Sequence, residues 1–302
     1  MVFLNTPHGY PHPLLACVVT RMKRSLGCVA VDGVEVSGEE NQMKNSFTTG
    51  ELILKQAETR PGVTTSIVIP AYDEEKGLPT LLDNVFRSVD GICEVIVVDD
   101  GSRDRTSEVA CAFTKCSVIK HEANRGKGEA LKTGVRHAKG DYVIFIDADN
   151  TYPAKAISQI ADNLEFSDIV YGARSLGRYR IPLFNRLGNM IFQSMIKYIY
   201  GFPGSDYSTG LYGIKKTYLE SMNIQASGFA IEPEIAIKAS RMRLCVKEVP
   251  IEYQPRLGKA KLVGPKAGFE HLMTITRLVF WRPSHEDTSR AKSNCNRLRL
   301  YQ

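Results

Sequence analysis

Short apolar runs separated by helical segments dominate the chain between residues 65 and 146. The runs SIVI, EVIVV, SVI and YVIFI each have the length and the β-branched composition of a buried strand. Segments with helical periodicity separate them, such as residues 78–89 and a segment beginning near Thr106. This alternation is typical of βαβ units and predicts a largely parallel sheet flanked by helices.

Polar loops follow three of the predicted strands. The loops span residues 72–75, 99–102 and 147–151. Open α/β sheets bind their ligands in the crevice at the carboxyl ends of their strands. We therefore expect the acidic side chains of the three loops to converge on one binding site.

Two carboxylates end the last of these strands, in the sequence IDADNTYP. Asp147 and Asp149 are two positions apart, so both side chains point the same way at a strand end. Two carboxylates this close repel each other, which raises the pKa of one of them unless a cation lies between them. Mg²⁺ or Mn²⁺, with phosphate oxygens and water as further ligands, is the functional interpretation. A polar strand end that caps a turn is the structural alternative.

Composition and charge argue against several classes of protein. The chain has 302 residues, of which 43% are hydrophobic and 24% charged, as in ordinary globular proteins. Its net charge of +6 comes without a polybasic tail or a zinc-finger spacing, so no nucleic-acid partner is expected. Seven cysteines without a CxxC pair favour reduced thiols in a cytosolic protein. An anionic small molecule or a lipid surface is the expected partner.

Seven ordered motifs carry a resemblance to a known enzyme family. They are SIVIPAYDEE, VIVVDDGSRDRT, NRGKGEALKTG, IDADNTYP, GSDYSTGLYGIKK, GFAIEPEIAIKA and EVPIEYQPRLGKAK. Their order resembles that of family 2 glycosyltransferases, and more narrowly of dolichyl-phosphate or polyprenyl-phosphate hexose synthases and their archaeal relatives. The resemblance covers about residues 65–283. It implies the α/β GT-A fold, which is Rossmann-like, with a mixed, mainly parallel sheet flanked by helices.

The resemblance also implies a reaction and its participants. A hexose, glucose or mannose, would pass with inversion from UDP-glucose or GDP-mannose to a polyprenyl or dolichyl phosphate, with Mg²⁺ or Mn²⁺ as cofactor. Asp147 and Asp149 would bind the metal, with Thr151 at a position where relatives often have a Gln ligand. The residues expected to bind the nucleotide-sugar are Pro70, Tyr72, Glu74, Val98, Asp100, Lys127, Asp147, Ala148, Arg256 and Lys261. The expected catalytic residues are Asp149, Asp206, Arg174 and Arg186.

Structural alternatives exist for several of these residues. Tyr72 could be a rim aromatic that covers its loop. The segment 126–128 places Lys127 at a helix N-terminus that suits an anion, or forms only a turn; Glu129 follows the lysine, which excludes a Walker loop. Residues 256–261, RLGKAK, resemble the family's mobile R-x-G-x-S-K loop with Ala260 at the serine position. These residues would either form a lid that closes over a diphosphate or be a loop whose charges are only solvated.

The acceptor is expected to be a lipid phosphate. Arg174 follows a predicted strand, and Arg186 begins an amphipathic, aromatic-rich segment. Guanidinium groups beside an apolar surface suit a phosphate at the head of a lipid. A core helix is the alternative for residues 187–200, and the same choice applies to residues 266–283, which include Trp281. Peripheral attachment to the cytoplasmic membrane face, with or without a membrane-protein partner, is the prediction.

A phosphate acceptor changes what the protein has to supply. Its second pKa near 6 leaves it largely dianionic at neutral pH, so its oxygen needs no general base. Asp206, Glu232 and Glu234 are then expected to shape the sugar and acceptor pocket. An internal salt bridge is the alternative for Glu232.

The chain divides by composition into three regions. Residues 1–62 are expected to be a poorly ordered extension, residues 63–265 the catalytic domain, and residues 266–302 an amphipathic helix with a polar tail. The longest apolar stretch near the N-terminus, residues 14–19, is too short to span a bilayer, and no transmembrane helix is expected elsewhere.

Three rival functions make different demands on the chain. A soluble transferase of the same fold would use a small phosphorylated acceptor such as phosphoglycerate. A dinucleotide-binding domain would need G-x-G-x-x-G after the first strand, where residues 69–72 read IPAY instead. An inactive sugar-nucleotide sensor would bind the donor without transferring the sugar.

Overall fold

The computed structural model describes residues 63–89, 94–258, 264–284, 288, 289 and 291. The expected extension at residues 1–62 and most of the polar tail lie outside these residues. The strands are β1 (Thr65–Ala71), β2 (Glu94–Asp99), β3 (Cys116–Lys120), β4 (Tyr142–Phe145), β5 (Ile169–Leu176), β6 (Tyr212–Lys215) and β7 (Val246–Glu252).

The helices alternate with the strands as the periodicity predicts. They are α1 (Leu78–Ser88), α2 (Thr106–Cys111), α3 (Lys127–His137), α4 (Ala156–Leu164), α5 (Leu183–Tyr200), α6 (Lys216–Ser221), α7 (Ile231–Met242) and α8 (Gly264–Arg277). A short 3₁₀ turn at Arg178–Arg180 precedes α5, and another at Leu278–Phe280 follows α8. Within the described residues, no helix is both long and apolar enough to cross a membrane.

The seven strands form one mixed, mainly parallel sheet, which confirms the predicted fold class. Their order is β3-β2-β1-β4-β6-β5-β7. β1 pairs in parallel with both β2 and β4, whereas β6 runs antiparallel to β4 and β5. The chain moves outward from β1 to β3 and then returns to place β4 on the other side of β1. That reversal creates the crevice in which open α/β sheets bind ligands.

Hydrophobic clusters cover both faces of the sheet. Ile67 and Ile69 of β1 face one cluster together with α1 and α4, whereas Val68 faces the other, together with α3 and α7. Because successive residues of a strand point to opposite faces, a strand buried on both sides has to be apolar throughout. This explains the uninterrupted apolar runs of the sequence.

The loops at the carboxyl ends of β1 and β2 are held together by hydrogen bonds. The backbone N–H of Asp73 donates to Ser102 Oγ at 2.9 Å, and that of Glu74 donates to Thr106 Oγ1 at 2.8 Å. The backbone N–H of Arg103 donates to Asp73 Oδ1 at 2.8 Å. These contacts fix the two predicted ligand-binding loops relative to each other.

Helix α5 lies mostly at the surface, so the core-helix alternative for residues 187–200 is wrong for most of its length. Only Ile196 and Tyr200 of this helix are buried, whereas Phe184 is 90% and Tyr198 84% exposed. Strand β5 extends through Leu176, which pairs with Glu252 of β7, and Arg174 pairs with Ile251 within the same strand. Arg174 therefore lies inside a strand, and its predicted position after the strand is wrong.

Candidate active site

A cavity of about 300 Å³ opens at the carboxyl ends of β1, β2 and β4. The predicted site residues that line it are Pro70, Tyr72, Glu74, Asp100, Lys127, Asp147, Ala148, Asp149 and Arg256. The structure therefore brings together most of the side chains that were expected to bind a nucleotide-sugar and a metal.

Lys127 neutralises the first carboxylate of the pair. Its Nζ lies 2.7 Å from Asp147 Oδ1 and 2.7 Å from Glu232 Oε1. Burial disfavours the ammonium ion, but the two carboxylates outweigh it and raise the pKa of Lys127. Burial also raises the pKa of Asp147, against the opposing effect of Lys127. The salt-bridge alternative for Glu232 is present in the structure.

Arg256 neutralises the second carboxylate. Its Nη1 lies 2.8 Å from Asp149 Oδ2, and its Nη2 donates to Glu74 Oε1 at 2.6 Å. The guanidinium group thus joins the loops that follow β1 and β4 to the segment that follows β7. Each carboxylate of the pair therefore has a protein cation beside it.

The donor set nevertheless fits a divalent cation. Asp147 and Asp149 present hard carboxylate oxygens to the cavity, and the Asp147 side chain is 27% exposed. No group of three or more His, Cys, Asp or Glu side chains within the described residues could hold a metal ion. A Mg²⁺ or Mn²⁺ ion here would therefore take its other ligands from phosphate oxygens and water, as these ions commonly do.

Thr151 lies behind Asp149 and does not line the cavity. It is fully buried, and its Oγ1 donates to Asp149 Oδ1 at 2.6 Å while its N–H donates to the same oxygen at 3.1 Å. Thr151 therefore orients the Asp149 carboxylate. The sequence had instead predicted that Thr151 binds the metal together with that carboxylate.

Gly210 packs directly against Asp147. A Cβ atom at Gly210 would lie 2.0 Å from Asp147 Oδ2 and 2.8 Å from a ring carbon of Tyr152. The Tyr152 hydroxyl accepts a hydrogen bond from the Gly210 N–H at 2.7 Å. The glycine therefore fixes where the carboxylate can lie. Sequence reasoning missed it, although it stands inside the quoted motif GSDYSTG.

Asp100 holds the glycine loop that precedes α3. Its carboxylate accepts hydrogen bonds from the N–H groups of Arg125, at 3.0 Å, and Gly126, at 2.8 Å. His121 Nδ1 lies 2.7 Å from Asp100 Oδ1, and its Nε2 lies 3.0 Å from Thr133 Oγ1. Asp100 lines the cavity, but these contacts already use both of its oxygens. His121 is a further residue that the sequence did not indicate.

The glycine loop is enclosed by the segment that precedes α7. Gly126 has φ +98°, and a Cβ there would lie 2.5 Å from the carbonyl oxygen of Ser227. The N–H of Glu129 donates to the same carbonyl at 3.1 Å. One of the free N–H groups of the α3 N-terminus is therefore used within the protein.

Two predicted catalytic residues form a buried pair with each other. Arg174 Nε donates to Asp206 Oδ2 at 2.7 Å, and its Nη2 donates to Asp206 Oδ1 at 2.6 Å and to Ser208 Oγ at 2.7 Å. Burial alone would raise the pKa of Asp206, but its hydrogen bonds with Arg174 lower it. Neither side chain lines the cavity, so the charges of the pair are occupied within the protein.

Two other predicted residues also lie away from the cavity, and a third lies outside the part of the chain that the structure describes. The side chain of Val98 is fully buried in the core together with Ile96 and does not line the cavity. Arg186 is exposed on the first turn of α5. Lys261 lies outside the described residues.

Glu234 is fully buried below the cavity wall. It accepts hydrogen bonds from the N–H groups of Gln225, at 3.1 Å, and Ala226, at 2.7 Å. Lys238 Nζ lies 2.6 Å from it, and Arg277 Nη2 of α8 lies 3.4 Å away. Glu234 thus fixes the segment that encloses the glycine loop and does not itself face the cavity.

Helix α8 supplies lining residues that the sequence did not indicate. Lys266, Ala267 and Glu270 complete the cavity wall together with Gly228 and Phe229. Helical periodicity predicted the helix. Its position beside the carboxyl ends of the strands could be known only from the folded structure.

Comparison with known proteins agrees with this geometry. The sequence model of glycosyl transferase family 2 matches residues 66–222. A glucosyl-3-phosphoglycerate synthase structure from Mycobacterium tuberculosis, in complex with Mn²⁺, UDP-glucose and phosphoglyceric acid, has a TM-score of 0.60. It is 25% identical in sequence, and the match covers 80% of this chain and 87% of that one. The protein therefore has the GT-A fold.

Curated relatives cover most of the same region. A Haloferax volcanii low-salt glycan biosynthesis hexosyltransferase is 27% identical over 74% of this chain and 56% of its own length. A Pyrococcus furiosus dolichol-phosphate mannosyltransferase is 30% identical over 72% of this chain and 64% of its own length. The chain thus spans less than two thirds of these two relatives. A Haloferax volcanii dolichyl-phosphate hexose transferase is 31% identical over 67% of this chain and 88% of its own length. The chain belongs to glycosyl transferase family 2.

Proposed function

We propose that the protein is a metal-dependent, inverting hexosyltransferase that moves glucose or mannose from UDP-glucose or GDP-mannose to a polyprenyl or dolichyl phosphate. The observation that carries the proposal is the cavity at the carboxyl ends of β1, β2 and β4, which is lined by Asp147, Asp149, Lys127 and Arg256. The names of the dolichyl-phosphate relatives support the acceptor class. In this proposal residues 63–265 form the catalytic domain.

The donor would lie along the loops that follow β1 and β2. Tyr72 is half-buried on the wall and offers a ring face to a base, and Glu74 offers carboxylate oxygens to hydroxyl groups. Lys127 and Arg256 are the cations nearest the paired carboxylates and would turn toward the diphosphate oxygens. When bound, Mg²⁺ or Mn²⁺ would offset the negative charge that develops on the departing nucleoside diphosphate.

The acceptor would react without a protein base. A phosphate oxygen forms the new bond to the anomeric carbon while the bond from that carbon to the diphosphate oxygen breaks, which inverts the configuration. No proton has to move, because the phosphate monoester is largely dianionic at neutral pH. Asp100, Asp147 and Asp149 already pair with cations or accept backbone hydrogen bonds, which suits charge support better than proton transfer.

An exposed apolar surface would hold the lipid. This surface, here called the apolar surface, lies on α5, on α8 and on the 3₁₀ turn after α8. Its exposed side chains are Leu183, Phe184, Leu187, Met190, Ile191, Phe269, Leu272, Met273 and Phe280. Patches of this kind on a protein surface mark partner or membrane contacts. Arg186 lies among them on α5, where it would meet lipid phosphates. We therefore propose peripheral attachment to the cytoplasmic face of a membrane, where a membrane protein is a further candidate partner.

A small phosphorylated acceptor is the second candidate. The similarity to the mycobacterial synthase, whose structure contains phosphoglyceric acid, favours it. Such an acceptor would use the same cavity and would leave the apolar surface without a role in catalysis.

A transfer assay separates these possibilities. The protein is incubated with radiolabelled UDP-glucose or GDP-mannose, with short-chain polyprenyl phosphate or 3-phosphoglycerate, and with or without Mn²⁺. We expect Mn²⁺-dependent labelling of the polyprenyl phosphate and its loss in Asp149→Asn. Asp162→Asn, on the exposed side of α4, is the matched control and should retain activity. Labelling of 3-phosphoglycerate alone would support the second candidate, and donor binding without transfer to either would refute both.

Flotation with liposomes tests the membrane contact separately. We expect the protein to float with vesicles that contain anionic lipid. Failure to float, with or without polyprenyl phosphate in the vesicles, would contradict the membrane part of the proposal.

A further inference from the structure

The lining of the cavity contains three cations, and one of them has no partner within the described residues. Lys127 is paired with Asp147 and Glu232, and Arg256 with Glu74 and Asp149. The third cation, Lys266, makes no hydrogen bond or ion pair with any residue that the structure describes. It lies outside the segment that matches the family's sequence model. Its ammonium group is therefore available to an anionic ligand in the cavity.

The same helix carries apolar side chains away from the cavity. Lys266, Phe269 and Met273 are spaced i, i+3 and i+7 along α8, so they share one side of the helix. Phe269 is 65% and Met273 52% exposed. Seven residues of helix rise about 10 Å, which is the length of about two isoprene units in extended form. Lys266 thus lies where the polar cavity meets the apolar surface.

The opposite side of α8 is engaged in packing. Ala267 and Ile275 are buried, and Phe192 of α5 stacks on His271 with ring centroids 5.3 Å apart. The helix is consequently held in place against α5, which leaves Phe269 and Met273 exposed on the same helix as the cavity-lining Lys266.

Charge at the cavity also favours a phosphate beside Lys266. The lining carboxylates are Glu74, Asp100, Asp147, Asp149 and Glu270, against three lining cations. A phosphate dianion brought into this surplus of negative charge needs a cation at its own position. Lys127 and Arg256 are already shared between carboxylates and the expected diphosphate, so Lys266 is the remaining candidate.

We infer that α8 forms the acceptor subsite: Lys266 binds the phosphate of an isoprenoid phosphate, and Phe269 and Met273 bind its first isoprene units. The inference rests on the proposed function and adds the residues that select the acceptor. In the transfer step Lys266 holds the phosphate while one phosphate oxygen attacks the anomeric carbon. The nucleoside diphosphate leaves with the electron pair of the broken bond, and Lys266 gives up no proton.

The test compares Lys266→Ala and Lys266→Arg with the control Lys115→Ala, which lies on an exposed loop between α2 and β3. Loss of one charge-assisted hydrogen bond should raise the KM for short-chain polyprenyl phosphate about tenfold and leave the donor KM nearly unchanged. The arginine variant should restore most of the affinity, and the control should behave as wild type. Phe269→Ser should raise the KM for polyprenyl phosphate and leave the donor KM nearly unchanged, because only the acceptor carries an isoprenoid chain.

Calorimetric titration with short-chain polyprenyl phosphate, in the presence of UDP and Mn²⁺ but without a sugar donor, gives a second readout that does not depend on turnover. We expect wild-type protein to bind it and Lys266→Ala to bind it about tenfold more weakly. Thermal unfolding checks that each variant is folded.

The outcomes separate this inference from the proposed function. If polyprenyl phosphate is glycosylated but Lys266→Ala changes neither its KM nor its binding, the inference fails alone. An increase confined to the donor KM would assign Lys266 to the diphosphate and also overturn it. Binding that depends on Lys266 without any sugar transfer would refute the proposed function and retain the subsite. A wild-type protein that binds no polyprenyl phosphate, or glycosylates only 3-phosphoglycerate, would overturn the inference.

Discussion

Gly210→Ala gives a direct test of how the first carboxylate of the site is positioned. The added Cβ would lie 2.0 Å from Asp147 Oδ2 and 2.3 Å from Asp147 Cγ, against 3.4 Å for an ordinary contact. The carboxylate would have to move by roughly 1.4 Å to restore normal van der Waals separation. The backbone at Gly210 does not have the left-handed φ that would add strain of its own. The effect should therefore be confined to Asp147 and its neighbours.

The expected cost is large for the site and small for the fold. Metal ligands have to lie within about 0.2 Å of their proper distances, so a displacement of this size should weaken Mn²⁺ binding about 10- to 100-fold. Transfer should fall about 100-fold because a misplacement of about 1 Å is enough for such a loss. The free energy of unfolding should change by about 1–2 kcal/mol, since the nearest clash is with the Asp147 side chain, which can rotate, and the next is with a ring carbon of the buried Tyr152.

The assay is a calorimetric titration of Mn²⁺ in the presence of UDP, combined with the transfer assay and urea unfolding. Gly188→Ala is the matched control, because a Cβ at Gly188 would meet no atom within 4 Å. The control should bind Mn²⁺ as wild type does. If Gly210→Ala retained the wild-type Mn²⁺ affinity and transfer rate, Asp147 would not be the metal ligand whose position Gly210 sets.

Three further changes test the charges around the site. Glu234→Gln leaves the buried Lys238 ammonium without its carboxylate and should lower the free energy of unfolding by about 3 kcal/mol in urea denaturation. Asp206 has a pKa lowered in the folded state despite its burial, because it accepts hydrogen bonds from its arginine partner; its ionisation therefore stabilises the fold above the unfolded pKa. The stability advantage of wild type over Asp206→Asn should be constant above about pH 5 and shrink as the pH falls below about 4. Arg256→Met frees Asp149 and should tighten Mn²⁺ binding without nucleotide while raising the donor KM, as measured by titration and initial rates.

Matched controls accompany these changes. Glu220→Gln removes an exposed carboxylate and should cost less than about 0.5 kcal/mol, and Arg87→Met removes an exposed guanidinium group from α1 and should leave Mn²⁺ binding unchanged. A Glu234→Gln protein as stable as the Glu220→Gln protein would contradict the role of the buried pair. An advantage over Asp206→Asn that grew with falling pH would contradict the lowered pKa. Weaker Mn²⁺ binding by Arg256→Met alone would show that the arginine assists the metal.

The sheet could be predicted because burial on both faces leaves a plain signature. Strands β1, β2 and β4 are apolar at consecutive positions, as in Val95 to Val98, since each face is covered by helices. Convergence of the polar loops on one crevice followed from parallel topology alone. The same alternation explains why the side chain of Val98 lies in the core together with Ile96 and away from the cavity. Position in a motif did not reveal which face it occupied.

Pairing between distant charges could not be predicted in the same way. Arg174 and Asp206 are 32 positions apart and meet only because β5 and the segment before β6 are neighbours in the fold. Arg256 and Glu74 are 182 positions apart. Each of these residues carries a charge suited to catalysis. Sequence spacing alone does not distinguish a charged group that faces the substrate from one that forms an ion pair within the protein.

The charge balance of the site explains how the fold tolerates a pair of adjacent carboxylates. Two unpaired carboxylates at the end of a buried strand would oppose folding, because burial disfavours charge and the charges repel each other. Lys127 from α3 and Arg256 from the segment after β7 remove this cost by supplying one cation to each carboxylate. Both cations line the cavity in which the diphosphate is proposed to lie, so under that proposal each would exchange its carboxylate for a phosphate oxygen if a divalent cation bound Asp147 and Asp149. The site would then keep a similar balance of charge in its free and bound states, and the fold would not depend on the metal for its stability.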